Sequence, residues 1–324
     1  MRGAVVDLGS ITTRLLLVDD AVEGRGSRRA PITRMGAGMA GDGRITDLAL
    51  ERVRSALESH LVAADQFGAS RLRVVATAAA RNATNRPELF ALAEEVLGVE
   101  AELVSGADEG RLAFAGAVAG LAAPASGPCV LIDVGGGSTE ISFGTTAGEF
   151  EGAYSADIGA ITVDDTYLEH DPPWAQELSA ALSVVELHFD DALRELPGLA
   201  EALPDATVIG VGGTITTMAA VEIGLDPYDP DQIHGFVLDR AAAEDVFRTL
   251  ATEALGDRVH NPGLGAERAP LIVGGTVVCI EAMRHLAIEE LIVSETDLLD
   301  GVAAEMLSDA GSTYDWPPCP PPRR

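Results

Sequence analysis

Lysine does not occur anywhere in this 324-residue chain, so all 22 basic residues are arginines, set against 51 acidic ones. The resulting formal charge of -29 opposes non-specific contact with nucleic acid or anionic membrane, and neither is expected as a partner. Any polyanion bound here has to be held locally, by arginines, backbone N–H groups and bound cations. Cysteine is also scarce. Cys129, Cys279 and Cys319 stand far apart, with no C-x-x-C or His/Cys metal spacing. That pattern excludes a disulfide framework and suits a reduced cytoplasmic protein. No apolar run approaches the length of a membrane span, and the chain enters a strand directly, without a basic and then apolar leader. Aromatics are few, but 47% hydrophobic and 23% charged residues make an ordinary globular composition. The length suits two domains, each able to bury a core.

Glycine is what the chain has in the most telling places. Val5-Val6-Asp7-Leu8-Gly9-Ser10 ends an apolar strand in an Asp-x-Gly turn and runs into a second apolar stretch, Leu15-Leu16-Leu17-Val18. Leu131-Ile132-Asp133-Val134-Gly135-Gly136-Gly137-Ser138-Thr139-Glu140 does the same ahead of Ile141-Ser142-Phe143. Glycine lets backbone N–H groups come close to an anion, and a neighbouring Asp can hold the cation that accompanies a phosphate. One such loop means little. Two at matching places in the two halves suggest a duplicated domain gripping a phosphate chain.

The order of elements repeats as well. The first half reads as strands at Ala4–Asp7, Thr13–Val18 and near Pro31–Arg34, a helix over Leu48–Ala64, a strand at Leu72–Ala76, a helix over Pro87–Val96, a short strand at Glu102–Val104 and a helix over Asp108–Ala119. The small, uncharged segment Ala119–Pro128 suits a hinge, placing a domain boundary between residues 122 and 123. The second half has strands at Val130–Asp133, Ile141–Phe143 and Phe150–Ser155, then helices over Ile161–Leu168 and Trp174–Leu193. A strand at Thr207–Gly210 follows, with helices over Thr214–Glu222, Arg240–Thr252 and Arg268–Leu286, a strand at Leu291–Val293 and a helix over Asp297–Leu307. A Pro-rich tail, 309–324, is expected to be disordered. Three strands followed by alternating helix and strand, twice over, predict two α/β domains of mixed sheet, 1–122 and 123–308, with a cleft between them.

A third glycine loop, Val208-Ile209-Gly210-Val211-Gly212-Gly213-Thr214, stands directly before a helical run. Unpaired N–H groups and the dipole at such a helix start favour an anion, although a plain strand-to-helix turn would look the same. Arg81 lies just beyond a buried strand, where α/β proteins place ligands and where its planar fork suits phosphate. Asp108 and Glu109 open a helix. Taken alone they read more readily as ordinary first-turn charge.

Together these stretches resemble a known family. Asp7-x-Gly9-Ser10, ATAAAR (Ala76–Arg81), SGADEGRL (Ser105–Leu112), IDVGGGSTE (Ile132–Glu140), GVGGTITT (Gly210–Thr217), YDPDQIHG (Tyr228–Gly235), NPGLGAERAPLIVGG (Asn261–Gly275) and SETDLLDG (Ser294–Gly301) look, in that order, like the exopolyphosphatase / guanosine pentaphosphate phosphohydrolase (Ppx/GppA) family. The resemblance runs from about residue 3 to 307. It implies two ribonuclease-H-like domains of the actin, acetate and sugar kinase and heat-shock chaperone superfamily, with phosphate bound in an interdomain cleft.

Carried over by motif, Glu109 matches the catalytic glutamate, in a D-E-G-R stretch where the family has E-E-A-R, and Arg81 the arginine on the phosphate chain. Asp7, Gly9 and Ser10 match the first phosphate loop; Asp133, Gly135, Gly136, Gly137 and Ser138 the second; Gly212, Gly213 and Thr214 join them as the third. Asp133, Glu140 and Asp7 are the carboxylates expected near Mg²⁺ or Mn²⁺. His234 reads as a structural turn residue. The implied reaction is release of the terminal phosphate to water activated by Glu109.

The chain departs from the family at Ile11, where Asn is common, and at Thr162, where an arginine is common, with Asp157 adding a charge nearby. Longer members continue into helical domains past the point matching residue 308. Short-chain polyphosphate is therefore the expected substrate. Guanosine pentaphosphate, and a non-catalytic sensor of guanosine tetraphosphate or polyphosphate, remain rivals, and an ATP-dependent kinase is disfavoured by Glu109. The helical second half offers apolar faces for a homodimer.

Overall fold

A computed structural model describes residues 1–22, 26–39, 41–121 and 127–308. The middle of the expected hinge, with its boundary at 122/123, and the Pro-rich tail 309–324 lie outside the described residues. Two compact units emerge, Met1–Ser105 together with Leu299–Arg324, and Gly106–Leu298.

The first unit starts with β1 (Arg2–Leu8), β2 (Thr13–Asp19) and β3 (Ser27–Arg29), then α1 (Asp47–Phe67), β4 (Arg71–Ala76), α2 (Ala78–Asn82), α3 (Arg86–Leu97) and β5 (Glu102–Leu103). β1 is buried from Gly3 to Leu8 because it lies mid-sheet, antiparallel to β2 and parallel to β4, in the order β3-β2-β1-β4-β5. Thr46 caps α1, its hydroxyl accepting from Ala49 N at 3.2 Å, and Gly68 ends the helix at φ 74°, a left-handed stop that glycine adopts without steric cost. The third strand falls earlier than expected. Of the segment Pro31–Arg34, only Ile32 pairs, in a single bridge to Thr12, since Pro31 has no N–H to extend a ladder and Arg34 turns the chain at φ 48°.

The second unit begins with α4 (Gly106–Gly120), β6 (Pro128–Val134), β7 (Thr139–Thr145), β8 (Phe150–Ala156), α5 (Ala160–Tyr167) and α6 (Ala175–Glu195). It continues through α7 (Leu199–Ala202), a 3₁₀ turn at Leu203–Asp205, β9 (Thr207–Val211), α8 (Gly213–Ile223), α9 (Pro230–Ile233) and β10 (Val237–Asp239). It closes with α10 (Arg240–Thr252), α11 (Leu255–Arg258), α12 (Ile272–His285) and β11 (Glu290–Val293). Its sheet order is β10-β11-β9-β6-β7-β8. Leaving out β10, this is the first sheet's order again: an antiparallel three-strand meander whose first strand pairs in parallel with the next. The repeat gives the two mixed α/β sheets expected from the order of elements, in the ribonuclease-H-like arrangement that the family resemblance implies. β10, too short to carry a pattern, was not foreseen. The helix expected from Arg268 starts only at Ile272, because the chain turns through Pro270 first.

Two elements fall in different units from those a division at 122 implies. α4 packs on β7 and β8 of the second sheet. α13 (Leu298–Ser308) joins the first, where Arg28 pairs with Asp300, Arg73 Nη1 with Glu305 at 2.9 Å, and Arg71 Nη1 donates to Met306 O at 2.8 Å. Each unit has its own apolar core, one around Leu15, Leu57 and Leu89, the other around Phe189, Met218 and Val277. Full burial of such a side chain contributes about 1.5–3 kcal/mol.

Candidate active site

The second unit assembles a row of polar groups across three strands. Asp133 of β6 is directly opposite Glu140 of β7, and Glu140 is opposite Ser155 of β8. Opposite residues of an antiparallel pair share a face with Cβ atoms about 4.5–5.5 Å apart, so the three side chains stand side by side. α4 crosses this face. A Cβ on Gly110 would lie 2.6 Å from Ala153 Cβ, 2.7 Å from Ser142 Oγ and 3.9 Å from Glu140 Cβ, which brings its neighbour Glu109 over the row. Glu109 is 8% exposed and Glu140 1%. Glu140 Oε1 accepts from Ser155 Oγ at 2.7 Å, and the Ser138 hydroxyl also bonds this carboxyl.

Burial, in the first place, raises the Glu140 carboxyl well above the ordinary carboxylate range, followed by the negative charges of Glu109 and Asp133, while the two serine hydroxyls work the other way. Two buried carboxyls, Glu109 and Glu140, with the half-buried Asp133 beside them call for compensation by a proton or a cation. All the donors are oxygens, which suits Mg²⁺ or Mn²⁺ rather than a softer ion. The sequence-predicted residues Glu109, Asp133, Glu140 and Ser138 are thus brought together.

The second glycine loop is held in place by its carbonyls. Gly135 N donates to Ser138 O at 3.0 Å, while Gly135 O and Gly136 O accept from Ala160 N at 3.0 Å and Ile161 N at 2.8 Å at the start of α5. The helix start is satisfied by the loop, so its N–H groups are not an anion site. Gly159 has to be glycine, since a Cβ there would lie 2.7 Å from Gly136 C and O. Thr162, at the place where an arginine was expected, reaches the same loop through Gly137 O at 3.4 Å.

The third loop adjoins the same carboxylates. Gly212 adopts φ 92°, and a Cβ on it would lie 2.8 Å from Asp133 Oδ1; its backbone therefore runs against the Asp133 side chain. α8 starts at Gly213 with no side-chain cap, leaving first-turn N–H groups without a capping side chain. Arg268 lies against Gly213 closely enough that a Cβ there would overlap the guanidinium. Thr214 is buried with its side chain packed on Gly275 of α12, so what it presents at this end of α8 is backbone.

In the first unit Asp7 is 2% exposed and its Oδ2 accepts from Arg14 Nε at 2.9 Å. Gly9 N closes the turn on Thr12 O at 3.0 Å, and Ser10 is buried, its carbonyl accepting from Gly36 N at 2.9 Å. Arg81, in the last turn of α2, donates from Nη1 to Val104 O at 3.1 Å, which anchors it at the C-terminal edge of the sheet.

Sequence reasoning missed Arg14, Arg268 and Ser155. Arg268 lay inside a recognised stretch, NPGLGAERAPL, but received no role. Nothing local distinguishes Ser155, whose importance comes from a strand register. His234, expected as a structural turn residue, is hydrogen-bonded to the backbone on both ring nitrogens: Nδ1 accepts from Glu295 N at 3.2 Å and Nε2 donates to Gly120 O at 2.9 Å. Cys129 and Cys279 are buried free thiols, each pushed up to about 12 by burial. Among the described residues no helix is long and apolar enough to cross a membrane.

Comparison with known proteins fits this geometry. The chain is 37% identical to exopolyphosphatase 2 of Mycobacterium tuberculosis over 94% of its own length and 98% of the relative's. It is 29% identical to exopolyphosphatase 1 of Mycobacterium leprae, over 97% and 92%. Among solved structures, an exopolyphosphatase-like protein superimposes with a TM-score of 0.88 at 29% identity, covering 94% and 98% of the two chains. A Ppx/GppA protein of Aquifex aeolicus does so with 0.76 at 30%, covering 96% and 99%. Residues 24–310 match the sequence model of one family. With that match added to the repeated sheet order and the carboxylates beneath α4, the chain belongs to the Ppx/GppA phosphatase family.

Proposed function

We propose that this protein is an exopolyphosphatase that releases orthophosphate from the end of short inorganic polyphosphate chains. The observation that carries the reading is the placement of Glu109 over the Asp133–Glu140–Ser155 row, beside the second and third glycine loops. Hydrolysis of a phosphoric anhydride needs a base for water and positive charge for the phosphoryl oxygens. Glu109 orients the attacking water and accepts its proton. The N–H groups opening α8, with Arg268 beside them, supply positive charge for the phosphoryl oxygens; in the first unit Arg81 and Arg14, at strand ends, are of the residue type that suits phosphate.

Asp133 and Glu140 would hold Mg²⁺ or Mn²⁺, which when bound supplies positive charge for the phosphate oxygens. Asp7 is engaged by Arg14, so we assign it to orienting that arginine rather than to the metal. The similarity to proteins named exopolyphosphatase favours polyphosphate. The short chain length rests on Thr162 and Ile11, which leave fewer polar contacts for an extended polyanion on an acidic protein. Guanosine pentaphosphate offers the same terminal phosphate and is the competing substrate. The test is phosphate release from short polyphosphate, long polyphosphate and guanosine pentaphosphate, with wild type and Glu109→Gln. Short polyphosphate should be turned over fastest, and Glu109→Gln should lose about 10²–10⁴-fold, the range of a general base. Near-normal turnover by that variant would refute the assignment.

A further inference from the structure

We infer that Ser155 is a positioning residue for Glu140, its hydroxyl holding the carboxylate in the orientation it presents to a divalent cation. The inference rests on the reading that Asp133 and Glu140 hold that cation.

Ser155 sits on β8, the outermost strand of its sheet, and is half-buried. A serine on an edge strand is ordinarily a solvated residue with no task. Here the register places it directly opposite Glu140, and its Oγ donates to Oε1 at 2.7 Å, the length of a well-formed O–H···O bond. Glu140 is 1% exposed, so water cannot substitute freely for that donor. The bond is not a by-product of crowding on this face. Ser142, one row along and fully buried, has an Oγ with no hydrogen-bond partner among the described residues. With Oε1 held by Ser155 and the Ser138 hydroxyl also bonding this carboxyl, rotation about its last torsion is restrained and the carboxyl keeps one orientation. Groups that orient a metal-binding carboxylate in this way typically change metal affinity by about 10–100-fold when removed.

The experiment measures Mn²⁺ binding directly, from the electron paramagnetic resonance signal of the free ion, alongside the Mg²⁺ dependence of phosphate release. The proteins are wild type, Ser155→Ala, Ser155→Thr, Ser142→Ala and Glu140→Gln. Ser155→Ala should weaken Mn²⁺ binding by about tenfold or more and raise the half-activating Mg²⁺ concentration in parallel, with kcat at saturating Mg²⁺ recovering most of its value. Ser155→Thr, which keeps the hydroxyl, should restore binding, and Ser142→Ala should bind like wild type. If Glu140→Gln loses Mn²⁺ but Ser155→Ala does not, or if Ser155→Thr is as weak as Ser155→Ala, this inference is overturned while the cation reading stands. If Glu140→Gln binds Mn²⁺ as wild type does, both fall.

Discussion

Gly110→Ala is the most searching perturbation, because ordinary helix chemistry predicts the opposite of what the tertiary structure demands. In the interior of an exposed helix this exchange stabilises by about 1 kcal/mol. In α4 the new methyl would lie 2.6 Å from Ala153 Cβ and 2.7 Å from Ser142 Oγ, where non-bonded atoms prefer about 3.5–4 Å. Ser142 can rotate its hydroxyl away. Ala153 cannot, since its Cβ is fixed by the backbone of β8. α4 must therefore lift by about an ångström to regain that spacing. Overpacking of this kind costs about 1–3 kcal/mol, enough to offset the propensity gain and leave a net loss.

Lifting α4 also lifts Glu109, and a misplacement of about 1 Å at a reacting group can cost roughly 10²-fold in rate. Urea unfolding and phosphate release should both fall in Gly110→Ala. Adding Ala153→Gly removes the immovable contact, so the double variant should recover, with a coupling energy of about 1 kcal/mol or more. A Gly110→Ala protein as stable and active as wild type, or two substitutions that simply add, would refute the placement of α4 on β7 and β8.

Further outcomes follow from other buried groups. His60 is 1% exposed, its Nε2 donates to Thr13 O at 2.9 Å, and Nδ1 is buried without a hydrogen bond; burial holds its pKa below the usual histidine value. Its neutral form therefore contributes stability that is present above about pH 6.5 and lost as pH falls below that value toward the lowered folded pKa. His60→Gln should accordingly flatten the acid side of the stability profile between pH 7 and 5, and an unchanged slope would count against this. Gly213→Ala should displace the Arg268 guanidinium and raise KM for polyphosphate more than it lowers kcat; an unchanged KM would remove Arg268 from the substrate site. In a Cys319→Ser background, Cys129 and Cys279 should react with a thiol reagent only on unfolding, because burial keeps both protonated. Prompt labelling of the native protein would contradict their burial.

Much of the site could be read from the chain because its parts are local. Asp7 to Ser10, Asp133 to Ser138 and Gly212 to Thr214 are each a strand end and the turn after it, and a turn that needs glycine says so in sequence. Arg14 was within reach of the same logic, seven residues after Asp7 in the antiparallel partner strand, since Asp7 and Arg14 are directly opposite. Arg268 was not, because the chain reaches it through a turn with no periodicity and brings it to Gly213 only by folding.

The duplicated order of strands and helices, the three glycine loops and the carboxylates that accompany them were legible in the chain, because each depends on neighbours a few residues apart. Tertiary structure decided which of these groups meet. The row Asp133, Glu140 and Ser155 exists only because two strand registers align it. The glycine in D-E-G-R has no local explanation. It is required because Ala153 and Ser142, more than thirty residues further on, occupy the space its side chain would fill. Periodicity reports what a segment tends to form, whereas close packing between segments sets what each position can hold.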